Sequence, residues 1–304
     1  MKLVLAYNQS DKFVSFYSSL QQHGRELFDY SGYDSLLFIY DHMTERGMEV
    51  VNLSTDQKLD QYDGVYINGY LKTYELAAAT AICCEALKVP YVNKEMHDPP
   101  SLSKLTAHAK LAAAGVLTPR TIAGTKTAIL KAMPKHTQNL FPAILKRADA
   151  DRGIDNFKLS NIDEVRETLE TYDNSSLWIL QEFIDNDGFY LVSFYDQRPS
   201  FCIFRELLKR PDGDIKKSHM YKPKGGHNAS LIELNEVPVQ IITECEKAVK
   251  AMNRQIASVD CIFDSIGQKA YILEVNYNPQ LVTIETFKEV RIKAFLDEIN
   301  NTWT

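Results

Sequence analysis

The sequence predicts an α/β protein in which a parallel α/β unit comes first and α+β units follow. In the first third, short apolar runs alternate with stretches of helical periodicity, the pattern of strands connected by helices in a parallel sheet. Near the C-terminus, two apolar runs flank a short polar turn, which is typical of an antiparallel hairpin. The 304 residues suffice for more than one domain. The predicted domains are residues 1–98, 99–180 and 181–304.

The parallel unit is predicted from the order of its segments. Apolar runs predict strands at 3–7, 48–53, 64–69 and 89–93. Helical periodicity predicts helices at 11–28, 34–46 and 72–87, with Gly47 ending the second of them. The pair Pro99 and Pro100 then interrupts the pattern and marks the end of the unit.

The rest of the chain predicts mixed structure. Helices are expected at 103–114, ending at Gly115, at 161–172, capped by Ser160 or Asn161, and at about 236–254. Strands are expected at 142–148, 177–184, 189–195 and 200–207, with a charged loop at 209–228. The closing hairpin is predicted to pair 257–264 with 270–276 across the turn Ser265 to Lys269.

Composition excludes several classes of protein. With 45% hydrophobic and 24% charged residues the chain resembles an ordinary globular protein, and no apolar stretch approaches the roughly 18 residues that a membrane span needs. The net charge of −6 argues against nucleic-acid binding, which requires a basic surface. The start, MKLVLAYNQS, lacks the features of a signal peptide. The five cysteines without CxxC spacing predict reduced thiols, so we expect a cytoplasmic protein.

The closing hairpin carries a candidate metal site. Its two strands place Asp260 and Glu274 on short extended segments joined by a tight turn, so the two carboxylates can face each other. Asn276 lies two residues after Glu274 and therefore on the same face. Two carboxylates and an amide oxygen suit Mg²⁺ that also binds substrate phosphates. The alternative, in which both carboxylates are ordinary strand residues, has equal weight from spacing alone.

The segments around this hairpin resemble the ATP-grasp superfamily. The run YILEVNYNP, with Asp260 one strand earlier, is similar to the closing metal motif of that superfamily. Similar segments precede it in matching order: a lysine, a helix and a G-x-x-x-P turn at 103–121, PAILK at 142–146 and LQEFI at 180–184. The chain resembles the RimK-like carboxylate–amine ligases most. The resemblance covers about residues 90–290, and the N-terminal unit fits the domain that precedes this fold.

The resemblance implies an ATP-grasp fold with an N-terminal parallel α/β (pre-ATP-grasp) domain, and ATP and Mg²⁺ as cofactors. It assigns nucleotide contacts to Lys104, Lys146, Gln181, Glu182, Phe183 and Ile184. It assigns Mg²⁺ to Asp260, Glu274 and Asn276, and it places Arg205 where the superfamily often has a basic residue on the strand after the adenine segment. A single lysine is more often a solvated surface charge. Lys146 is the stronger candidate because it ends an apolar strand.

Three segments depart from the superfamily's pattern. The loop after Lys146 reads RADADRGIDNF, whereas the superfamily usually has small residues there that wrap the phosphates. The acidic Asp149 and Asp151 would repel the phosphates unless Arg147 and Arg152 pair with them. The strand GFYLV at 188–192 lacks the usual aspartate and arginine, so ribose recognition is unassigned. The segment HMYKPKGGHNAS at 219–230 lacks the usual arginine and asparagine. Lys222, Lys224 or His219 could substitute there, since a positive group would stabilise the transferring phosphoryl. A mobile basic loop without this role has equal weight.

The activity implied is an amide- or peptide-forming ligase acting on a small-molecule or peptide carboxylate and an amine such as an amino acid. Two alternatives stay open: a nucleotide-binding module without turnover, and an ATP-grasp kinase that phosphorylates a hydroxyl. The sequence identifies neither substrate, and it leaves a homo-oligomeric state open.

Overall fold

The computed structural model describes residues 1–6, 28–40, 46–68, 73–97, 104–148, 150, 155–173, 176–206, 229–276 and 288–302. These residues form sixteen strands and six α-helices, arranged as one parallel and three antiparallel sheets. This confirms the predicted fold class. Within the described parts of the chain, no helix has the length and apolar character needed to cross a membrane.

The N-terminal sheet is parallel, as predicted, but the predicted strand at 48–53 belongs to a separate antiparallel sheet. The strands of the parallel sheet are β1 (Lys2–Ala6), β2 (Phe28–Gly32), β6 (Gly64–Tyr66) and β7 (Tyr91–Val92), in the order β2-β1-β6-β7. Helix α1 (Tyr74–Leu87) buries its alanine-rich face against this sheet, together with Cys83 and Cys84. Both thiols are buried, which fits core packing of small apolar side chains.

One predicted helix is wrong. Residues 36–40 of the expected helix 34–46 form an edge strand, in a small antiparallel sheet of β3 (Leu36–Tyr40), β4 (Met48–Asn52) and β5 (Gln57–Lys58). Leu36 and Phe38 pack on the N-terminal core, while Leu37 and Ile39 face outward. The run LLFIY has the aromatic and branched residues that favour strands, and pairing with β4 outweighs its helical periodicity. Residues 41–45 lie outside the described part.

A four-stranded antiparallel sheet forms the middle of the chain. The elements are α2 (Lys104–Ala113), β8 (Thr121–Thr125), α3 (Lys126–His136), β9 (Ala143–Arg147), β10 (Asn156–Leu159), α4 (Ile162–Glu170) and β11 (Leu177–Glu182). The strand order is β10-β9-β11-β8. Helices α3 and α4 cover one face around the fully buried Trp178. Asn161 caps α4, because its side chain accepts the N–H groups of Asp163 and Glu164 at 3.0 Å each.

A five-stranded antiparallel sheet forms the C-terminal part. Its elements are β12 (Gly188–Tyr195), β13 (Arg198–Glu206), β14 (Ala229–Ile232), α5 (Val239–Ala251), β15 (Ile256–Asp264), β16 (Lys269–Asn276) and α6 (Lys288–Thr302). The strand order is β14-β13-β12-β15-β16. Helix α5 packs on one face with Leu111 of α2. Helix α6 and residues of the parallel sheet pack on the other face.

The parallel sheet and the five-stranded sheet share a core with α6. In that core Phe295 of α6 packs edge-on against Tyr66, with ring centroids 4.8 Å apart. The three-domain division of the chain stays a prediction. Its second boundary, at 180/181, falls inside β11, so a division that keeps this strand whole would lie beyond Glu182.

Candidate functional site

The hairpin β15–β16 brings the two candidate metal carboxylates together, as predicted. Asp260 is the direct cross-strand partner of Glu274, and Ser258 is the partner of Asn276. All four side chains therefore point to the same face of the sheet. A bulge follows between Asp260 and Cys261. Bulges re-aim neighbouring side chains, and this one lies at the end of the carboxylate pair.

Asp260 is held in an environment that opposes its charge. Burial and the neighbouring Glu274 carboxylate raise the pKa of Asp260 to about 7, although Arg205 and Lys146 act in the other direction. Its Oδ1 atom is buried and has no hydrogen-bond partner among the described residues. A buried carboxylate oxygen beside a second carboxylate is a position that a cation would stabilise.

Lys146 lies on β9, on the face of the four-stranded sheet opposite its helices. Its Nζ donates to Gln181 Oε1 at 3.0 Å, and the Gln181 amide donates to Thr121 Oγ1 at 2.8 Å. This chain of hydrogen bonds fixes the ammonium group. Burial lowers the pKa of Lys146 to about 8, while Glu274 and Asp260 counteract that effect and Lys104 adds to it. The cation thus faces both hairpin carboxylates.

Lys104 begins α2 and completes the group of charges. Its Nζ lies 4.0 Å from Glu274 Oε1 and donates to the carbonyl of Ala150, which follows β9. The side chain therefore connects the helix, the segment after β9 and the hairpin. Lys104, Lys146 and the hairpin with Asp260 and Glu274 come from separate parts of the sequence and meet in one place.

Arg205 lies beside Asp260. It is 9% exposed, and burial lowers its pKa while Asp260 opposes that shift. Its guanidinium carbon is 5.9 Å from the centre of the Phe189 ring, within the range of a cation–π contact. Gly188 makes this packing feasible, because a Cβ at that position would lie 2.3 Å from the Arg205 carbonyl oxygen.

The strand end 181–184, predicted to contact adenine, already uses part of its backbone. The N–H of Glu182 donates to the Arg120 carbonyl at 2.8 Å, and the N–H of Phe183 donates to the Pro142 carbonyl at 2.9 Å. The Ile184 carbonyl accepts from the Asn186 amide. Lys158 Nζ lies 3.4 Å from the centre of the Phe183 ring, so a cation covers this aromatic face.

Three solved structures of ligases are similar to the whole chain. The ATP-grasp ligase PsnB, complexed with minimal precursor, Mg and ADP, matches with a TM-score of 0.69 and 12% identity over 100% of this chain and 97% of that one. D-alanine–D-alanine ligase from Bacillus anthracis matches with a TM-score of 0.63 and 15% identity over 100% and 97%. D-cycloserine synthetase DcsG matches with a TM-score of 0.58 and 15% identity over 98% and 99%. The chain has the ATP-grasp fold. No protein-family model matches the sequence, and no curated protein matches it.

Part of the ATP-grasp pattern lies outside the described residues. Lys222, Lys224 and His219 fall in the segment 207–228, and Asp149 and residues 151–154 are likewise outside. Arg147 is described, and its guanidinium donates to Asp155 at 3.1 Å. The strand β12, which departs from the pattern of the ATP-grasp superfamily at 188–192, is almost entirely buried.

Two basic side chains were missed by the sequence analysis. His108 lies four residues after Lys104 on α2, and a helical i,i+4 count from that lysine would have found it. Arg291 of α6 is 1% exposed, and burial lowers its pKa to about 10, an effect that Tyr195 opposes and Arg205 adds to. No local signal identifies Arg291, because α6 reaches the sheet only through tertiary packing.

Proposed function

We propose that the chain is an ATP-dependent ligase that joins a carboxylate to an amine. The observation that carries the proposal is the meeting of Lys104 and Lys146 with the carboxylates of Asp260 and Glu274. Phosphoryl transfer needs cations on the phosphates and carboxylates that hold Mg²⁺ at the same place. Further support comes from the ATP-grasp ligases of similar fold, one of which was solved with Mg and ADP.

The proposed roles follow from position and charge. Lys104 and Lys146 bind the phosphates, and Gln181 holds Lys146 in place. Asp260, Glu274 and Asn276 hold Mg²⁺, which would neutralise charge on the phosphate oxygens. The donor set fits this ion, since the hairpin supplies carboxylate and amide oxygens and the phosphates would complete the shell. Adenine contacts a backbone or side-chain group of the segment Gln181, Glu182, Phe183 and Ile184.

The proposed reaction has two group transfers. A carboxylate oxygen attacks the γ-phosphorus of ATP, the bond to the bridging oxygen breaks, and ADP leaves. The amine nitrogen then attacks the acyl carbon and loses a proton to solvent. Inorganic phosphate leaves and takes with it the carboxylate oxygen that had attacked the γ-phosphorus. Arg205, with Lys222 and Lys224, stabilises the negative charge that develops on the transferring phosphoryl and on the acyl group.

The finer features of the proposal come from the sequence motifs. They favour a RimK-like ligase that adds an amino acid to a peptide or small-molecule carboxylate in the cytoplasm. A homo-oligomer is compatible with this activity and not required by it.

The test is ADP release from MgATP in the presence of a panel of amino acids and small peptides. We expect release that depends on both a carboxylate and an amine. Glu274→Gln should lower it about 100-fold or more, whereas the exposed Glu236→Gln is the matched control and should leave it unchanged. MgADP binding without turnover across the panel would favour the binding module. Turnover independent of any amine would favour a kinase.

A further inference from the structure

His108 is a titratable side chain at the lysine end of the site that has no role in the proposed reaction. It lies one turn after Lys104 on α2, so both side chains share one face of the helix. Helix α2 packs against β16, which carries Glu274, and Lys104 reaches that carboxylate across this contact. His108 is therefore a half-buried imidazole on the same helix face as Lys104, which is proposed to bind the phosphates.

The charges that act on His108 are positive. Burial, then Lys146 of β9, then Lys104 of its own helix lower the pKa of His108 to about 4. The two elements packed against α2, which are α5 and β16, carry carboxylates that are engaged elsewhere. Glu274 of β16 faces the two lysines, and Glu244 of α5 accepts the Leu117 N–H at 3.1 Å and pairs with Lys247. Without a ligand, the imidazole is therefore neutral above about pH 4, and the two lysines oppose its charging.

A bound polyphosphate would reverse the sign of this local field. One net negative charge about 5 Å away, at an effective dielectric constant of about 20, shifts a pKa by about two units. MgATP and MgADP both carry net negative charge after the metal is counted. The field of a bound nucleotide is thus large enough to charge the imidazole near pH 6.

We propose that His108 is a third phosphate-binding cation, which takes up a proton when nucleotide binds beside Lys104 and Lys146. The inference rests on the nucleotide site of the proposed function but not on ligase turnover. Its consequence is that nucleotide affinity rises as pH falls. As pH falls from the nucleotide-bound to the free pKa of His108, the affinity rises at most tenfold per pH unit. Above the bound pKa, His108 does not make the affinity depend on pH.

The experiment is isothermal titration of the full chain with MgADP at pH 6.0 and pH 8.0, each in two buffers of different ionisation enthalpy. The variants are His108→Gln, which cannot gain charge, and His108→Arg, which is always charged. The exposed His97→Gln is the matched control. Circular dichroism checks that each variant is folded. Subtracting the proton uptake of His108→Gln from that of wild type cancels the protons taken up or released by the nucleotide itself.

At pH 6.0 we expect wild type and His97→Gln to take up about half a proton more than His108→Gln and to bind about twice as tightly. At pH 8.0 the wild type and His108→Gln should bind equally tightly and take up equal numbers of protons, and His108→Arg should bind more tightly than both. Equal proton uptake in wild type and His108→Gln would overturn this inference alone. If wild type bound no MgADP, the proposed function would fail with it. If His108 took up a proton on MgADP binding but no panel substrate was ligated, the inference about His108 would hold and the proposed ligase activity would be wrong.

Discussion

Two places in the molecule withdraw opposite charges from water, and they do so differently. The first is the pair of Glu95, after β7, and Arg254, before β15, with Oε1 and Nη1 3.6 Å apart and side chains 6% and 2% exposed. The second is the site, where Lys104 and Glu274 are 4.0 Å apart and 19% and 39% exposed. The first pair is closed to solvent and the second is open.

The difference lies in what balances the charges. In the closed pair, each charge has one opposite charge of the protein beside it. Burial raises the pKa of Glu95 to about 7, and Arg254 opposes that shift. Asp260 has a similarly raised pKa, but part of the cause is the second carboxylate beside it. The site thus has like charges side by side as well as opposite ones, and it is open to solvent, so its carboxylates can take up a cation and its lysines an anion. We infer that the closed pair serves the fold and the open group serves ligands.

The largest expected effect is on the closed pair. Arg254→Met leaves Glu95 buried without its partner, and we expect a loss of about 3–5 kcal/mol in the free energy of unfolding. Urea denaturation measures this. The exposed Arg198→Met should lose less than about 0.5 kcal/mol. A loss below about 1 kcal/mol for Arg254→Met would mean that solvent reaches the pair, and the contrast with the site would disappear.

The second prediction concerns pH. Because the folded pKa of Glu95 lies above its ordinary value of 4.5, the folded state binds more protons between pH 4.5 and 7, and stability falls as pH rises through that window. The contribution is about 2–3 kcal/mol. In a series of urea denaturation experiments from pH 4.5 to 8, the free energy of unfolding of Glu95→Gln should lack this fall.

Asp260 gives the comparison for this pH effect. Its pKa is raised to about 7, so it adds a fall of stability in the same direction, which Asp260→Asn removes. Saturating MgADP should abolish the Asp260 component, because Mg²⁺ stabilises the carboxylate, and should leave the Glu95 component intact. If MgADP changed the Asp260 and Glu95 contributions equally, the closed pair and the site would not respond to the nucleotide as separate groups.

The third prediction tests the open group. Lys146→Met should weaken MgADP binding about 10- to 100-fold, since hydrogen bonds to charged groups contribute about 1.5–3 kcal/mol. Its free energy of unfolding should not fall, because burial already disfavours the Lys146 charge. Isothermal titration and urea denaturation measure the two quantities. The exposed Lys131→Met on α3 is the control and should change neither. A destabilised Lys146→Met that still binds nucleotide would assign this lysine to the fold.

The open group was largely predictable from sequence, and the closed pair was not. Asp260 and Glu274 are joined by one tight turn, so a local pattern determines that they face each other. Lys146 stood out because it ends an apolar strand. Glu95 and Arg254 meet only when the parallel sheet packs on the five-stranded sheet, and no local pattern encodes that contact. The strand at 36–40 was missed for the same reason, because its partner β4 decides its conformation.

The smallest expected effect is also the sharpest comparison. Replacing both members of the closed pair, Glu95→Leu with Arg254→Met, removes two desolvated charges together and leaves neither unpaired. Buried pairs replaced by apolar residues of similar size are often neutral or stabilising, so we expect a change within about 1 kcal/mol of wild type, far from the loss in Arg254→Met alone. MgADP affinity should stay within about twofold of wild type, because the pair takes no part in the site. A double variant as unstable as the single one would mean that the pair contributes net stability. A double variant with weakened MgADP binding would mean that the contact between the two sheets also positions the nucleotide site, so that the closed and open groups act as one.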